Sequence, residues 1–112
     1  YNLMLSLHRQ GRLDEAVAVG EELLAEHPLY EVAWNGLGAL HIDRSDPRAA
    51  QAALQRAYSI NPFNVSTVTN LGNAAYLLGD REEAARWWQE TLRLDPDNDY
   101  ARRGLNALEP TR

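Results

Sequence analysis

A period of 34 residues runs through the chain and constrains its fold more than any other feature. Proline, alanine, leucine and glycine all recur at this spacing, as Pro28, Pro62 and Pro96, Ala16, Ala50 and Ala84, Leu3, Leu37, Leu71 and Leu105, and Gly38 and Gly72. Because several residue types share one interval, coincidence is a poor explanation. The 112-residue chain is therefore predicted to be an array of about three structural repeats.

Each period is predicted to contain two helices, and the third period shows the signals most clearly. Asn64 is a good N-cap, and apolar residues follow it at helical spacing as far as Gly79, which suits the left-handed turn after a helix. Asp80 is the next N-cap, and Glu83 stands three residues later, which predicts a capping box. In the second period, Asp46 precedes a proline at the first helical position, where the missing N–H costs nothing.

The helices predicted in this way cover most of the chain, at 1–9, 13–26, 31–44, 47–60, 65–78, 81–94 and 98–108. No segment shows the strict alternation of a half-buried strand. We therefore expect an all-α fold of antiparallel helical hairpins joined by short turns. Arg12 is a poor N-cap, so the helix after it is expected to fray at its start, and Pro110 is expected to end the last helix.

Composition and charge exclude several classes of function. The net charge of −5 argues against nucleic-acid binding, which needs a basic face, and the short apolar runs argue against membrane insertion. The absence of cysteine rules out disulfides and thiolate chemistry. All 11 basic residues are arginine, which suggests a GC-rich, bacterial genome. Because the chain starts at Tyr1 without a signal-like segment, we expect a fragment of a longer protein. The cytoplasm is favoured over the periplasm as its compartment.

No catalytic, cofactor or metal site is predicted, and we expect no enzyme activity. His8, His27 and His41 form no pair at a spacing of four, and no Cys/His cluster accompanies them. The GLG at 36–38 does not follow a strand, so it indicates close helix packing rather than a phosphate loop. The acidic clusters stand at helix N-termini, where carboxylates favour the helix dipole.

The repeat pattern resembles the tetratricopeptide repeat (TPR) family. The segments AWNGLGAL and TNLGNAAYLLGDREEAARWWQETLRLDP are similar to the helix signatures of that family, and the resemblance covers nearly the whole chain. It implies one domain, a right-handed α-solenoid with a truncated first repeat. The implied units are repeats at 1–30, 31–64 and 65–98 and a capping helix at 99–109 with a polar outer face.

The first repeat departs from the family pattern. Met4 and Gly20 stand where a small and a large residue are usual, and His41 stands where the family usually has a large aromatic or apolar residue. Gly20 implies either a void or a close helix contact, and we expect the N-terminal end to be the less stable one. Since no cap precedes the first repeat, we expect an apolar set there to be partly bare, namely Leu3, Met4, Leu7, Leu13 and Val17.

The resemblance also implies a concave groove lined by the first helix of each hairpin. The residues expected to line it are Asn2, Leu5, Arg9, Val32, Asn35, Ala39, Ile42, Ser66, Thr69, Asn70, Asn73, Tyr76, Tyr100 and Arg103. An asparagine amide both donates and accepts, so it can pair with a peptide backbone irrespective of its side chains. Asn2 and Asn70 share one register with Gly36 between them, so we expect an asparagine ladder to be broken.

Some members of the family clamp the C-terminal carboxylate of a chaperone with basic and amide side chains. That is not expected here, because the basic residues Arg9 and Arg103 stand near opposite ends of the groove. Leu5 and Ala39 occupy positions where a clamp would have polar groups. A mildly apolar, near-neutral groove fits an extended peptide or a helix of a partner protein better.

The resemblance therefore implies a non-catalytic protein–protein interaction module that binds a partner's peptide or helix in the groove. One alternative is a scaffold that self-associates through the uncapped N-terminal repeat. Another is the TPR segment of a larger enzyme or of a secretion or assembly protein, with its chemistry outside these residues.

The adjacent Trp87 and Trp88 lie on a second helix, away from the expected groove. Neighbouring residues on a helix point about 100° apart, so one face cannot use both indoles. Trp88 is predicted to be core of the third hairpin. Trp87 is predicted to lean toward the closing helix, near Tyr100, Leu105 or Leu108. A ligand-stacking platform is the least favoured interpretation of the pair.

Overall fold

The computed structural model describes residues 1–109, and within that range it contains only α-helices and the turns between them. The seven helices are α1 (Asn2–Arg9), α2 (Leu13–Glu26), α3 (Glu31–Asp43), α4 (Pro47–Ile60), α5 (Val65–Leu77), α6 (Arg81–Leu94) and α7 (Asp99–Leu108). Each bound lies within one residue of the prediction. The expectation for Pro110 falls outside the described residues.

Side-chain caps start four of these helices. Asp46, Asn64, Asp80 and Asn98 each accept a backbone N–H of the following turn, at 3.2, 3.0, 3.1 and 2.9 Å. Arg12 makes no such bond at the start of α2, as expected from its side chain. The caps fix where the helices begin, since they satisfy N–H groups that have no partner inside the helix.

The predicted capping box at α6 is only half formed. The Asp80 side chain accepts from the Glu83 N–H, but the backbone N–H of Asp80 already donates to the Ala75 carbonyl at 2.9 Å. The Glu83 carboxylate is therefore free for other donors. It accepts from Trp87 Nε1 at 3.0 Å and pairs with Arg86. The predicted return bond from Glu83 is wrong because its donor is taken.

The turns inside the hairpins share one left-handed position. Gly11 and Gly79 have φ of 76° and 83°, and Ser45 holds φ of 61° at the equivalent place in the second hairpin. A residue with this φ lets the chain reverse directly after a helix. The short turns bring consecutive helices into contact, and α1, α3 and α5 also touch one another in sequence. The first helices of the three hairpins thus lie side by side along an array 48 Å long.

The core is built by large side chains that sit on glycines. Leu54 packs on Gly38, where a Cβ would lie 2.4 Å from Leu54 Cγ. Trp88 lies between Gly72 and Gly104, where added Cβ atoms would come within 2.4 and 2.8 Å of the indole. These contacts are possible only because glycine has no side chain. They bring α3 onto α4, and α5 and α7 onto α6.

The N-terminal repeat is better packed than predicted. Met4, Leu7 and Val17 are 1%, 6% and 7% exposed, so the expectation that they are partly bare is wrong, whereas Leu3 is 58% exposed. The reason is the space at Gly20, where a Cβ would lie 2.7 Å from Met4 Sδ. Of the two predicted alternatives, a void or a close contact, the structure has the close contact.

Helix α7 covers the last hairpin with small and medium-sized residues. Ala101 is fully buried, while Leu105 and Leu108 are half-buried against a cluster that contains Ala84 and Trp88. Tyr100, which was predicted to line the groove, is 52% exposed. Its ring is available to the groove side of the molecule.

Candidate functional site

A hydrogen-bonded chain of asparagines links α3 to α5. Asn35 Nδ2 donates to Ser66 Oγ at 3.1 Å, and Asn70 Nδ2 donates to Asn35 Oδ1 at 3.4 Å. Asn73 Nδ2 then donates to Asn70 Oδ1 at 3.2 Å. The chain reaches α3 through Asn35, one residue before Gly36, and so it passes beside the predicted gap in the register of Asn2 and Asn70. We call Asn35, Ser66, Asn70 and Asn73 the amide network.

The amide network leaves hydrogen-bonding capacity unused. Each asparagine amide carries two N–H donors and an oxygen that accepts two bonds. The bonds above use one N–H of each asparagine and one lone pair of Asn35 and Asn70. All three asparagines are half-buried, so their orientation is set by one another while one side remains accessible.

An open recess lies beside Asn73, where α5 meets α7. Its volume is about 520 Å³. The residues that line it are Ile42, Asn73, Tyr76, Leu77, Trp88, Tyr100, Arg103, Gly104 and Ala107. Five of these nine were predicted to line the groove, so the structure gathers a large part of that predicted set at one end of it. We call this site the aromatic recess.

Aromatic rings form the walls of the recess. Tyr76 lies with its ring centroid 5.9 Å from that of Trp88, and the two planes are tilted by 39°. Tyr76 and Tyr100 are 45% and 52% exposed, whereas Trp88 is 4% exposed. Trp88 is core, as predicted, but the prediction that it lies away from the groove is wrong. Its indole reaches the recess because Gly104 carries no side chain that would cover it.

Charge is sparse on this side of the molecule. Helix α5, VSTVTNLGNAAYL, contains no Asp, Glu, Lys or Arg. Arg103 is the one charged side chain among the residues that line the recess. Its Nε lies 3.0 Å from Asp99 Oδ2, and both side chains are about 70% exposed. An exposed pair of this kind contributes little to stability, typically less than about 1 kcal/mol.

Models of the tetratricopeptide repeat match residues 1–22, 32–64 and 68–98. The chain belongs to the tetratricopeptide repeat family. Among curated proteins, it is 26% identical to the Protein CTR9 homolog of Arabidopsis thaliana over 113 residues, which cover 96% of this chain and 10% of that protein. It is 33% identical to Peroxisome biogenesis protein 5 of the same plant over 66 residues, which cover 59% and 9%. The chain thus spans about a tenth of each relative.

Solved TPR structures superpose closely on the chain. The first TPR of Spaghetti (RPAP3), bound to the HSP90 peptide SRMEEVD, has a TM-score of 0.94 at 20% identity and covers 96% of this chain and 85% of that one. The Arabidopsis OM64 TPR domain has a TM-score of 0.92 at 20% identity, covering 95% and 88%. MamA has a TM-score of 0.92 at 20% identity, covering 96% and 63%. At these identities the likeness establishes the fold, an all-α helical repeat solenoid.

The remaining predicted groove residues lie elsewhere on the TPR surface. Thr69 turns its hydroxyl inward, since Oγ1 donates to the Val65 carbonyl at 2.7 Å and lies 3.2 Å from Oγ1 of the buried Thr91. The other five lie on α1 and α3 outside the recess, as the half-buried Leu5, Val32 and Ala39 and the exposed Asn2 and Arg9.

The sequence interpretation missed Leu77, Trp88, Gly104 and Ala107 of the recess. The 34-residue period of the TPR carries a signal for three of them. Ala107 shares its register with Asn73, Gly104 with Asn70, and Leu77 with Arg9 two repeats earlier. Trp88 has no such signal, because its helix is on the other layer and only the missing Cβ of Gly104 admits it.

Trp87 occupies a different interface from the predicted one. Its ring meets Tyr58 of α4 edge-on, with centroids 5.1 Å apart and planes at 77°. The ring that it meets is that of Tyr58 and not that of Tyr100, although Trp87 also packs partly against the cluster that contains Ala84, Trp88 and Ala101. Since Nε1 of Trp87 also donates to Glu83 of its own helix, the indole is directed toward the preceding hairpin.

Polar contacts outside the groove join the C-terminal end of α3 to both helices of the first hairpin. His8 Nε2 lies 2.5 Å from Asp43 Oδ2, and Arg44 Nε lies 3.0 Å from Asp14 Oδ1. Burial lowers the pKa of His41, and the nearby Arg44 guanidinium lowers it further. Across residues 1–109, no three His, Asp or Glu side chains are grouped as metal ligands would be. None of the helices in that range has the length and apolar character needed to cross a membrane.

Proposed function

We propose that this TPR domain is a non-catalytic module that binds an extended peptide segment of a partner protein along the side formed by α1, α3 and α5. The observation that carries the proposal is the amide network, which places Asn35, Asn70 and Asn73 in one row with unused donors and acceptors. An extended peptide brings free backbone N–H and C=O groups, whereas a helix has already paired its own. The network therefore favours an extended segment over a helix.

The sparse charge supports the same proposal. Because α5 presents no charged side chain, affinity has to come from hydrogen bonds and apolar contact rather than from ion pairs along the groove. A relative of known structure, the first TPR of Spaghetti (RPAP3), holds a peptide that ends in EEVD. The segment bound here is proposed to be mostly uncharged instead.

The test is a selection of peptides from a random octapeptide phage library on the purified domain, followed by fluorescence anisotropy with the enriched peptides. We expect Asn70→Ala combined with Asn73→Ala to weaken binding by about tenfold or more, since two net hydrogen bonds are each worth about 0.5–1.5 kcal/mol. Asn106→Ala is the matched control, because this exposed amide of α7 lies outside the recess.

Circular dichroism melting of the three proteins shows whether the substitutions leave the fold intact. A folded double variant that binds every enriched peptide with full affinity would contradict the proposal. So would the enrichment of peptides that bind only as preformed amphipathic helices.

A further inference from the structure

We propose that the aromatic recess is the specificity subsite of the groove, and that it takes a bulky uncharged side chain next to an acidic residue. The inference rests on the proposed function, because it names the class of peptide that the groove selects. Its first support is apolar exposure. Tyr76, Leu77 and Tyr100 are 45%, 52% and 52% exposed, and all three line the recess. Exposed apolar residues grouped in this way mark a binding surface, unlike single ones.

The size and composition of the recess suit one anchor side chain. Its volume of about 520 Å³ is open to solvent and is bounded by aromatic and aliphatic groups. Sites for small ligands fall between about 300 and 1,000 Å³ and are lined mainly by apolar side chains with a few polar groups. Asn73 and Arg103 are those polar groups here. A leucine, phenylalanine or tryptophan side chain would cover the exposed faces of Tyr76 and Tyr100.

The charge of the recess determines which type of peptide residue is favoured next to the anchor side chain. Arg103 is the one charged group of the lining, and no carboxylate belongs to it. Arg103 uses Nε for Asp99, and its side chain is 72% exposed. A carboxylate can therefore accept two parallel N–H bonds from the terminal nitrogens Nη1 and Nη2 of the Arg103 guanidinium, the arrangement that arginine favours. A lysine or arginine of the partner would be repelled.

Asn73 makes the recess continuous with the amide network. It is the last member of the hydrogen-bonded chain and also lines the recess. A peptide whose backbone pairs with Asn70 and Asn73 would therefore continue to the opening of the recess between Tyr76 and Tyr100. The same binding event would then use the backbone contacts and the anchor.

The experiment uses the octapeptides enriched from the random phage library. We expect a Leu, Phe or Trp next to Asp or Glu to be enriched, and replacement of either residue by Ala to weaken binding at least tenfold. Ala107→Trp should fill the recess and weaken binding by a similar factor, whereas the control Asn106→Trp, an exposed neighbour outside the recess, should not.

Charge reversal tests the acidic contact separately. Arg103→Glu should weaken binding of the acidic peptide and strengthen binding of the same peptide with Lys in place of the acid. Arg102→Glu is the matched control, because Arg102 lies on another face of α7, outside the recess, and donates to the Pro96 carbonyl. In NMR spectra, the indole N–H of Trp88 should shift on binding more than those of Trp34 and Trp87.

The outcomes separate the two proposals. Enriched peptides that need Asn70 and Asn73 but show no apolar–acidic pair, or that bind Ala107→Trp and Arg103→Glu with full affinity, would overturn the subsite and leave the groove standing. Peptides whose binding ignores Asn70 and Asn73 would overturn the groove itself. Enrichment of a basic residue beside the anchor would also overturn the subsite, since Arg103 disfavours it.

Discussion

The position of Trp88 depends on two residues that lack side chains. A Cβ at Gly72 would lie 2.4 Å from Nε1 of Trp88, and one at Gly104 would lie 2.8 Å from its six-membered ring. The indole thereby touches α5 and α7 at once and remains only 4% exposed. Trp88, a residue of the second helix α6, thus contributes to both the C-terminal core and the aromatic recess.

Trp88→Ala is expected to cost roughly 3–5 kcal/mol of the free energy of unfolding, because it removes a large buried side chain and leaves a cavity. Urea denaturation followed by circular dichroism measures the change. Arg86→Ala, an exposed position on the same helix, is the control and should change stability little. A folded Trp88→Ala protein with an unchanged melting temperature would contradict the assignment.

His41 is expected to make the domain less stable in mild acid. Its pKa is lowered by burial and then by Arg44, while Asp46 and Glu21 act in the opposite direction. Since the folded pKa lies below the unfolded value of 6.5, the unfolded chain binds the proton more readily. The contribution is fully present above that value and is lost as the pH falls toward and through the folded pKa.

The measurement is the free energy of unfolding at several pH values between about 7.5 and 5. His41→Leu should lose less stability over this range than the wild type. His27→Leu, at an exposed position of a turn, is the control and should follow the wild type. Equal losses in wild type and His41→Leu would show that His41 does not carry the effect.

The first hairpin also packs a large side chain on a glycine, but the two residues lie on the opposite helices from those of the other two hairpins. In the second hairpin the glycine, Gly38, is on the first helix and the large residue, Leu54, is on the second. In the first hairpin the large residue, Met4, is on α1 and the glycine, Gly20, is on α2. The two registers are the same, 34 residues apart, so the large and small partners have exchanged helices. Complementary volume is kept, which is why α1 is well packed.

This exchange predicts strong coupling between Met4 and Gly20. Met4→Gly alone leaves a cavity, and Gly20→Leu alone forces a side chain onto Met4 Sδ, so each should cost about 1–3 kcal/mol or more. The double variant restores the arrangement of Gly38 and Leu54. We expect it to recover at least about 1 kcal/mol relative to the sum of the single costs, as contacting residues do.

A double-mutant cycle by urea denaturation measures this coupling. Met4 also fills the space over Gly36 of α3, where a Cβ would lie 2.4 Å from its terminal methyl carbon. Recovery is therefore expected to be partial. Strictly additive costs would show that the two residues do not pack as a pair.

At the scale of the molecule, the first and second helices of the hairpins contribute differently to the core and to the groove. The second helices carry the large core residues Leu54 and Trp88, and Trp88 also lines the recess. The first helices carry the amide network and, with α7, the walls of the recess. Such a division follows from the solenoid, in which each repeat buries one side on its neighbours and leaves the first helices in a row.

The domain is expected to be a monomer, because most of the apolar set that was predicted to be bare in the first repeat is buried. Met4, Leu7 and Val17 are covered within the first repeat, which leaves Leu3 as the large exposed member of that set. Leu29 is 76% exposed beside Tyr30, whose ring lies 5.8 Å from that of Tyr1, and Phe63 is 70% exposed at the next turn. Light scattering at millimolar concentration tests this expectation. A dimer that Leu3→Glu dissociates would contradict it and support the scaffold alternative.

The sequence alone determined the repeat, the helix bounds and the fold class. These follow from signals that are local or strictly periodic, such as the caps Asp46 and Asn64, the turn at Gly79 and the interval of 34 residues. Local signals act within one turn of a helix, so they hold whatever the helix later packs against. The 34-residue period also predicts that the first helices lie in one row. It gives most groove residues an equivalent position in a neighbouring repeat.

Only the tertiary structure decided which side chains meet across helices. Asn35 reaches Asn70, although the position equivalent to Asn35 in the next repeat is residue 69, and the ring of Trp87 meets Tyr58 of α4. Trp88 reaches the recess because Gly104, from another element, lacks a side chain. Such contacts depend on the distance between two helices, which is set by the sizes of residues far apart in the chain. The spacing of residues within one helix carries no information about the distance to another helix. The residues of the groove could therefore be predicted from the sequence, but the position of the recess could not.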